Sequence, residues 1–287
     1  MSLLSPNLQA FVAIARQGTV HGAAASLRLT QTGVTQRIRS LEKELAATLF
    51  LRSRKGMRLT PEGEALLRYC QGATDLEGEA MSRIQKAGSA RSVYVTIAGP
   101  TSAMTSRIAG QCAALYAKWP ELQLNFLVTD ATNRVQLVRS GVASLAVVPP
   151  EQVPDEMDGK VLKPDRYLLV AAAKWKGRRI ADILENERAI DFDENDPTTL
   201  NYLKRHGLLA QLRRPRLFAN NNEILLQLFR HGVGFGTLTQ EIAKPYLDSG
   251  ALIALHGGAV LEDAIALAWY PRPEMPPYFA DVVRAIR

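Results

Sequence analysis

Residues 19–45 read TVHGAAASLRLTQTGVTQRIRSLEKEL, and this spacing fits two short helices joined by a tight turn. Ala23, Ala24 and Leu27 fall at i, i+1 and i+4 of the first, and Val34, Ile38 and Leu41 at i, i+4 and i+7 of the second. Each helix therefore has one apolar face, and the two faces meet. Thr19 and Thr30 stand where the helices begin, where a hydroxyl accepts a backbone N–H that the first turn leaves free. With the apolar stripe turned inward, the second helix presents Gln31, Thr32, Thr35 and Gln36, then Arg37 and Arg39. A glutamine amide matches the N7/N6 edge of adenine, threonine offers a hydroxyl and a methyl, and arginine takes phosphate or guanine. This is the arrangement of a helix-turn-helix reader of double-stranded DNA; an ordinary solvated helix face is the alternative.

Charge separates the two. Residues 1–60 hold nine basic residues against two acidic ones, and the whole chain carries +7, so residues 61–287 are balanced. Net positive charge confined to the helix-turn-helix segment is what a phosphate-binding surface requires. Directly downstream, LFLRSRKGMRLT sets Arg52, Arg54, Lys55 and Arg58 around Gly56 between apolar ends. It reads as a wing, a basic hairpin that lays arginine along phosphates or into a minor groove.

The pattern A-A-x-x-L-x-x-[ST]-Q-x-x-[VL]-[ST]-x-x-I-x-x-L-E, then L-F-x-R and L-T-x-x-G, is met by Ala23, Ala24, Leu27, Thr30, Gln31, Val34, Thr35, Ile38, Leu41, Glu42, Leu49, Phe50, Arg52, Leu59, Thr60 and Gly63. It resembles the amino-terminal signature of LysR-type transcriptional regulators. The resemblance implies base and backbone contacts by Gln31, Thr32, Thr35 and Gln36, with wing contacts near Arg52 and Arg54. Gly22, Thr32 and Gly33 depart from the usual residues, which bears on the operator sequence. The fold implied is α/β: a winged helix-turn-helix domain over 1–60, a linker helix over 61–88, and over 89–287 an effector domain of two α/β subdomains similar to periplasmic solute receptors.

The length, 287 residues, suits more than one domain, and 47% hydrophobic content suffices for sizeable cores. No apolar run approaches a membrane span, and MSLLSPNLQAF lacks a basic signal n-region, so a cytoplasmic protein is expected. Cys70 and Cys112 have no CxxC spacing and read as small buried apolar residues. From Thr60 and Pro61 to Ala87 runs a long helix whose stripe includes Leu66, Leu67, Tyr69, Cys70, Leu76, Met81 and Ile84. The resemblance implies that it pairs with its counterpart in a second subunit, giving a homodimer and then a homotetramer. KAGSARS, 86–92, reads as a hinge.

Beyond it, strand-like and helix-like segments alternate, which predicts largely parallel sheets with helices on both faces. The expected strands are 93–99, 122–128, 143–149, 166–172, 189–193, 215–220 and 233–238, with two more in ALIAL and AIALAWY. One helix is expected over 101–119 and another over 276–286. Ligands of such sheets sit at carboxyl ends of strands beside helix starts. The effector candidates are therefore Pro100, Thr101 and Ser102, then Thr129 and Asp130, Val148, Asp193, Asn220, Asn221 and Asn222, and Gly234 in GVGFG. Free N–H groups and hydroxyls at 101–102 suit a carboxylate; Asp130, Asp193, Glu194 or Asp196 suit a cation. FDENDPTTL, NNNEILLQLFRHG and VTDATNRVQLVRSG resemble the arginine- and lysine-responsive ArgP branch. An aromatic or other carboxylate is the alternative effector. His21, His206, His231 and His256 have no metal spacing and read as surface or capping residues, and no local motif assembles a catalytic set. The reading is a regulator without enzymatic activity or cofactor. The competitor is a solute-binding or enzymatic domain carrying a DNA-targeting arm.

Overall fold

Ser5 opens helix α1 (Pro6–Gln17) by accepting the Leu8 N–H at 3.3 Å, Pro6 fills the first turn, and Gly18 ends it in the left-handed region at φ 67°. The structure is a computed structural model; it describes residues 4–53, 56–84, 93–129, 133–272 and 274–287, leaving aside the side chains of 75 and 78–84. Helix α1 was not singled out in the sequence, although cap, proline and glycine all mark it. Next come α2 (Val20–Leu27) and α3 (Gln31–Leu45), capped as expected: Thr19 accepts the Gly22 N–H at 3.0 Å and Thr30 the Gly33 N–H at 3.1 Å. Ala10, Phe11 and Ile14 of α1, Ala23 and Ala24 of α2, and Val34, Ile38 and Leu41 of α3 form one core with Leu49, Phe50, Leu67 and Cys70.

The wing consists of β1 (Phe50–Ser53) and β2 (Gly56–Leu59), antiparallel, with Arg52 opposite Met57. It is fastened to the α1–α2 turn by the Met57 N–H, 2.8 Å from the Gly18 carbonyl. Gly56 has φ +118°, and a Cβ there would lie 2.5 Å from the same carbonyl oxygen, so no other residue fits without a shift. Helix α4 (Pro61–Ile84) starts at Thr60, whose hydroxyl accepts the Gly63 N–H at 3.0 Å and donates to the Thr48 carbonyl at 2.7 Å. The hinge expected over 86–92, and residues 85–87 of the expected linker helix, lie outside the described residues.

The chain divides into two compact units, one of Met1–Pro100, Gln111–Lys160 and Ala266–Arg287, the other of Thr101–Gly110 and Val161–Ile265. Besides the winged domain and α4, the first unit holds a sheet in the order β4 (Leu122–Val128), β3 (Val93–Gly99), β5 (Leu145–Val148), β13 (Ala266–Trp269) and β6 (Asp158–Val161). Helix α8 (Arg134–Arg139) packs Val138 on Ala98, Ala146, Val148 and Ala268, and α13 (Pro277–Ala285) closes the chain.

The second unit holds a sheet in the order β11 (Leu252–Ala254), β7 (Asp165–Ala172), β10 (Gly234–Thr239), β8 (Arg188–Asp191) and β9 (Leu217–Phe218), with β12 (Val260–Asp263) also on β7. Alternate residues of β7 feed both faces. Leu169 and Ala171 pack with Ile183 and Leu184 of α9 (Ile180–Asn186) and Tyr202 and Leu203 of α10 (Thr198–Arg205). Leu168 and Val170 pack with Leu225 and Phe229 of α11 (Asn222–His231) and Ala243 of α12 (Gln240–Asp248).

Three expectations are corrected. The pairs β3/β4, β3/β5, β8/β9 and β8/β10 are parallel, but β7 runs antiparallel to β10, β11 and β12, and β13 antiparallel to β5. Each antiparallel partner lies far along the chain from β7 or β5, so the local alternation of strand-like and helix-like segments does not set these directions. The expected helix 101–119 is broken into α5 (Thr101–Ala103), a π-helical segment at Met104–Ile108, α6 (Ala109–Cys112) and α7 (Leu115–Lys118). Thr105 draws the Thr101 carbonyl into a 2.7 Å side-chain hydrogen bond, and buried Asp165 holds Arg107 at 2.8 Å. The expected strand 189–193 stops at Asp191, because the Asp196 carboxylate takes the Phe192 N–H at 3.2 Å, and the strand expected over 215–220 shrinks to Leu217–Phe218. Among the described residues no helix is long and apolar enough to cross a membrane.

Candidate nucleic-acid interface and effector site

Burial of Val34, Ile38 and Leu41 fixes the rotation of α3 and leaves Gln31, Thr32, Gln36 and Arg39 exposed, with Thr35 half-buried between them. The expected readers thus share one face at the start of one helix. Arg37 turns aside: its Nη1 donates to the Pro6 carbonyl at the start of α1, at 3.4 Å. Arg52 and Arg58 are exposed on the wing; Arg54 and Lys55 lie outside the described residues. Two positioning contacts were not expected. Glu42 Oε1 accepts the Leu49 N–H at 2.8 Å, tying the end of α3 to the root of the wing. Gln31 Nε2 lies 3.2 Å from His21 Nδ1, across from α2.

In the first unit the carboxyl ends of β4 and β5 are gathered by one side chain, and that of β3 by a backbone bond. Thr129 N–H donates to the Gly99 carbonyl at 2.9 Å, and Arg134 donates to the carbonyls of Thr129 and Val147 at 3.2 and 2.7 Å. Pro100 and Thr129 are half-buried beside these ends. Val148 is fully buried against Val138 and Ala268, which accounts for it as core, and Asp130 lies outside the described residues.

In the second unit Ser102 Oγ accepts the Tyr167 hydroxyl at 3.2 Å, and burial pushes that phenol well above its usual range. Thr199 and Thr237 join hydroxyls at 3.1 Å. Asp191 is buried beside Arg216 at 2.8 Å, and burial raises its carboxyl despite Thr199 and Arg216. The acidic loop serves largely itself: Asp193 Oδ1 accepts the N–H groups of Asn195 and Asp196 at 2.7 and 2.9 Å. Asp196 accepts Phe192 and Thr198. Arg216 adds bonds to the carbonyls of Glu194 and Asp196, both at 3.0 Å. Asn221 caps α11 through the Glu223 and Ile224 N–H groups, and Asn220 is exposed. Asn222 Nδ2 is buried with no protein partner. Gly234 is buried where a Cβ would lie 2.3 Å from the Arg188 carbonyl oxygen, so strand pairing explains the glycine.

Tyr167, Thr199, Arg216 and the Arg107–Asp165 pair carry no local sequence signal, since each is defined by a partner far along the chain, and Arg134 is defined by backbone carbonyls that only the sheet brings to it. Burial outweighs Arg107 at Asp165 and moves its carboxyl from the ordinary 3.8 to about 6. His206 packs on Tyr202 and His256, His231 bonds the Gln227 carbonyl at the end of α11, and no metal-holding group occurs among the described residues. Cys70 and Cys112 are buried free thiols, each pushed by burial to about 11.

Comparison with known proteins matches residues 6–64 to the bacterial regulatory helix-turn-helix protein, lysR family, and residues 91–287 to the LysR substrate binding domain. The transcriptional regulator LysG of Mycobacterium tuberculosis is 27% identical over 252 residues, covering 86% of this chain and 82% of LysG. Among solved structures, ArgP of M. tuberculosis superposes with a TM-score of 0.80 at 24% identity, over 99% of this chain and 96% of that one. Full-length LysG of Corynebacterium glutamicum with bound effector Arg gives 0.74 at 20% identity, with the same coverage. At those identities the likeness is one of fold. The helix-turn-helix face, the two α/β sheets and the two matched family regions give one conclusion: the chain belongs to the LysR family of transcription regulators, DNA-binding proteins with an effector-binding domain, and not to the enzymes.

Proposed function

We propose that this regulator reads its operator with Gln31, Thr32, Thr35 and Gln36, holds phosphates with Arg39, Arg52, Arg54 and Lys55, and answers to a cationic amino acid, arginine foremost. The observation that carries the DNA half is the exposed polar start of α3 beside the wing, on the segment where all the net charge resides. Two copies pair through residues 61–88, two pairs make a tetramer, and the protein works in the cytoplasm. Exposed Tyr69 and Leu76, seven residues apart on α4, support the pairing.

Arginine as effector is supported by LysG of C. glutamicum, which has this fold and was solved with Arg bound. The chain's own chemistry agrees. Ser102 with Tyr167, Thr199 with Thr237, and the unpartnered Asn222 amide offer hydrogen bonds to an α-carboxylate, and Asp193 keeps Oδ2 outside its loop bonds for a cation. Calorimetric titration with arginine, lysine and a panel of aromatic acids tests it. Heat from the basic amino acids alone is expected; heat from the aromatic acids alone would overturn it. Bound arginine shifts the populations of DNA-bound arrangements, so the footprint on a selected operator changes at saturation.

A further inference from the structure

We propose that His21 is a specificity-determining residue: it orients the amide of Gln31 so that this side chain reads adenine. The inference rests on α3 being the DNA reader. Gln31 is the first residue of α3, and its Nε2 lies 3.2 Å from Nδ1 of His21, the second residue of α2.

An amide can present either edge to a base, and rotation about its last torsion exchanges Nε2 for Oε1. Beside His21 the two orientations differ. With the ring proton on Nε2 of the imidazole, bare Nδ1 is an acceptor, and only the amide nitrogen can meet it. One N–H is then spent on His21, leaving the second N–H and Oε1, a donor next to an acceptor. That pair complements adenine, which shows the N7 acceptor and the N6–H donor in the major groove, and not guanine, which shows two acceptors. With His21 absent, the amide is free to turn. A 3.2 Å side-chain bond in water contributes little to stability, but DNA laid over α3 excludes that water, and an amide of the wrong orientation is then left with an unmet polar group.

The local geometry holds the pair in place. Thr19 and Thr30, the caps of the two helices, fix the backbones on which His21 and Gln31 stand, and a Cβ at Gly22 would lie 3.0 Å from both Gln17 Cβ and Thr19 Oγ1. His21 is exposed and outside the core, so its replacement leaves packing intact.

Selection of duplexes from a random pool by the full-length protein tests this, with relative affinities then measured for the four bases at each position. Wild type selects adenine at the position that Gln31→Ala relaxes. His21→Ala reduces the preference for adenine there by about tenfold and changes affinity for non-specific duplex by less than about twofold. His21→Asn, which keeps an acceptor near the Nδ1 position, restores the preference. In the Gln31→Ala background His21→Ala has no further effect on base preference, because the amide it orients is gone. Thermal melts confirm that each variant is folded. The proposal is overturned if His21→Ala weakens all sequences equally, if its effect survives in the Gln31→Ala background, or if guanine is the selected base. If the wild type selects no sequence, or Gln31→Ala relaxes no position, the reading of α3 itself has failed; a relaxed position untouched by His21→Ala sinks the His21 role alone.

Discussion

At Gly63 an added Cβ would lie 2.2 Å from the Leu49 carbonyl oxygen and 3.0 Å from Leu59 Cδ2, so the root of α4 packs directly on the backbone before the wing. Gly63→Ala is expected to destabilise the protein by about 1–3 kcal/mol, read as a lower urea midpoint; an unchanged midpoint would mean that α4 simply moves away. Arg52 is an exposed wing cation, and Arg52→Ala should lower the slope of log affinity against log salt by about one, similarly for all duplexes. An altered base preference at constant slope would instead make Arg52 a base reader. Asp165 titrates in the opposite sense to an ordinary ion-paired carboxylate. Its pKa is raised on folding, so its stabilising contribution is full below 3.8 and is lost as pH rises through about 6. Asp165→Asn removes this, and the stability difference between wild type and variant should change between about pH 4 and 6; melts giving a constant difference would refute it.

Among the elements, α2, α3 and the wing were legible because their signals are local: caps, an apolar stripe, and glycine between basic residues. Strands β3 and β4 fall where alternation placed them. β6 and β12 were not, since DGKV and VLED owe their strand form to neighbours rather than to their own composition. The broken run after β3 depends on Arg107 reaching Asp165, a contact spanning 58 positions that periodicity cannot carry. Helix α4 is held within its unit by Arg68, whose guanidinium lies 4.9 Å from the Tyr270 ring centre, and by Glu64, which accepts Gln136 Nε2 at 2.8 Å. Its Tyr69 and Leu76 are exposed, and under the proposed pairing they meet the helix of a second copy. Replacing both by glutamate should shift sedimentation toward monomer with the melting temperature little changed; an unaltered mass would remove 61–88 as the pairing surface.

For the whole molecule, free arginine at about 100 times its dissociation constant should add about 2.7 kcal/mol to the stability of the state that binds it. A thermal upshift with arginine or lysine and none with benzoate-like acids is the expected pattern, and no shift with either basic amino acid would count against them as effectors. The sequence by itself determined the DNA-reading end, because helix caps, a 3.6-residue stripe and a charge excess act over a few residues and need no distant partner. It also set strands β3 and β4 further along the chain. Tertiary structure alone decided the strand directions in the two sheets and set Arg216 against Asp191 and the carbonyls of the acidic loop. It decided too that His21 stands against Gln31. The physical reason is the same in each case. A hydrogen bond or ion pair between residues on different elements exists only after the backbone has brought them together. The stretch 19–45 contained both partners of that last contact, and only the fold of α2 against α3 made them neighbours.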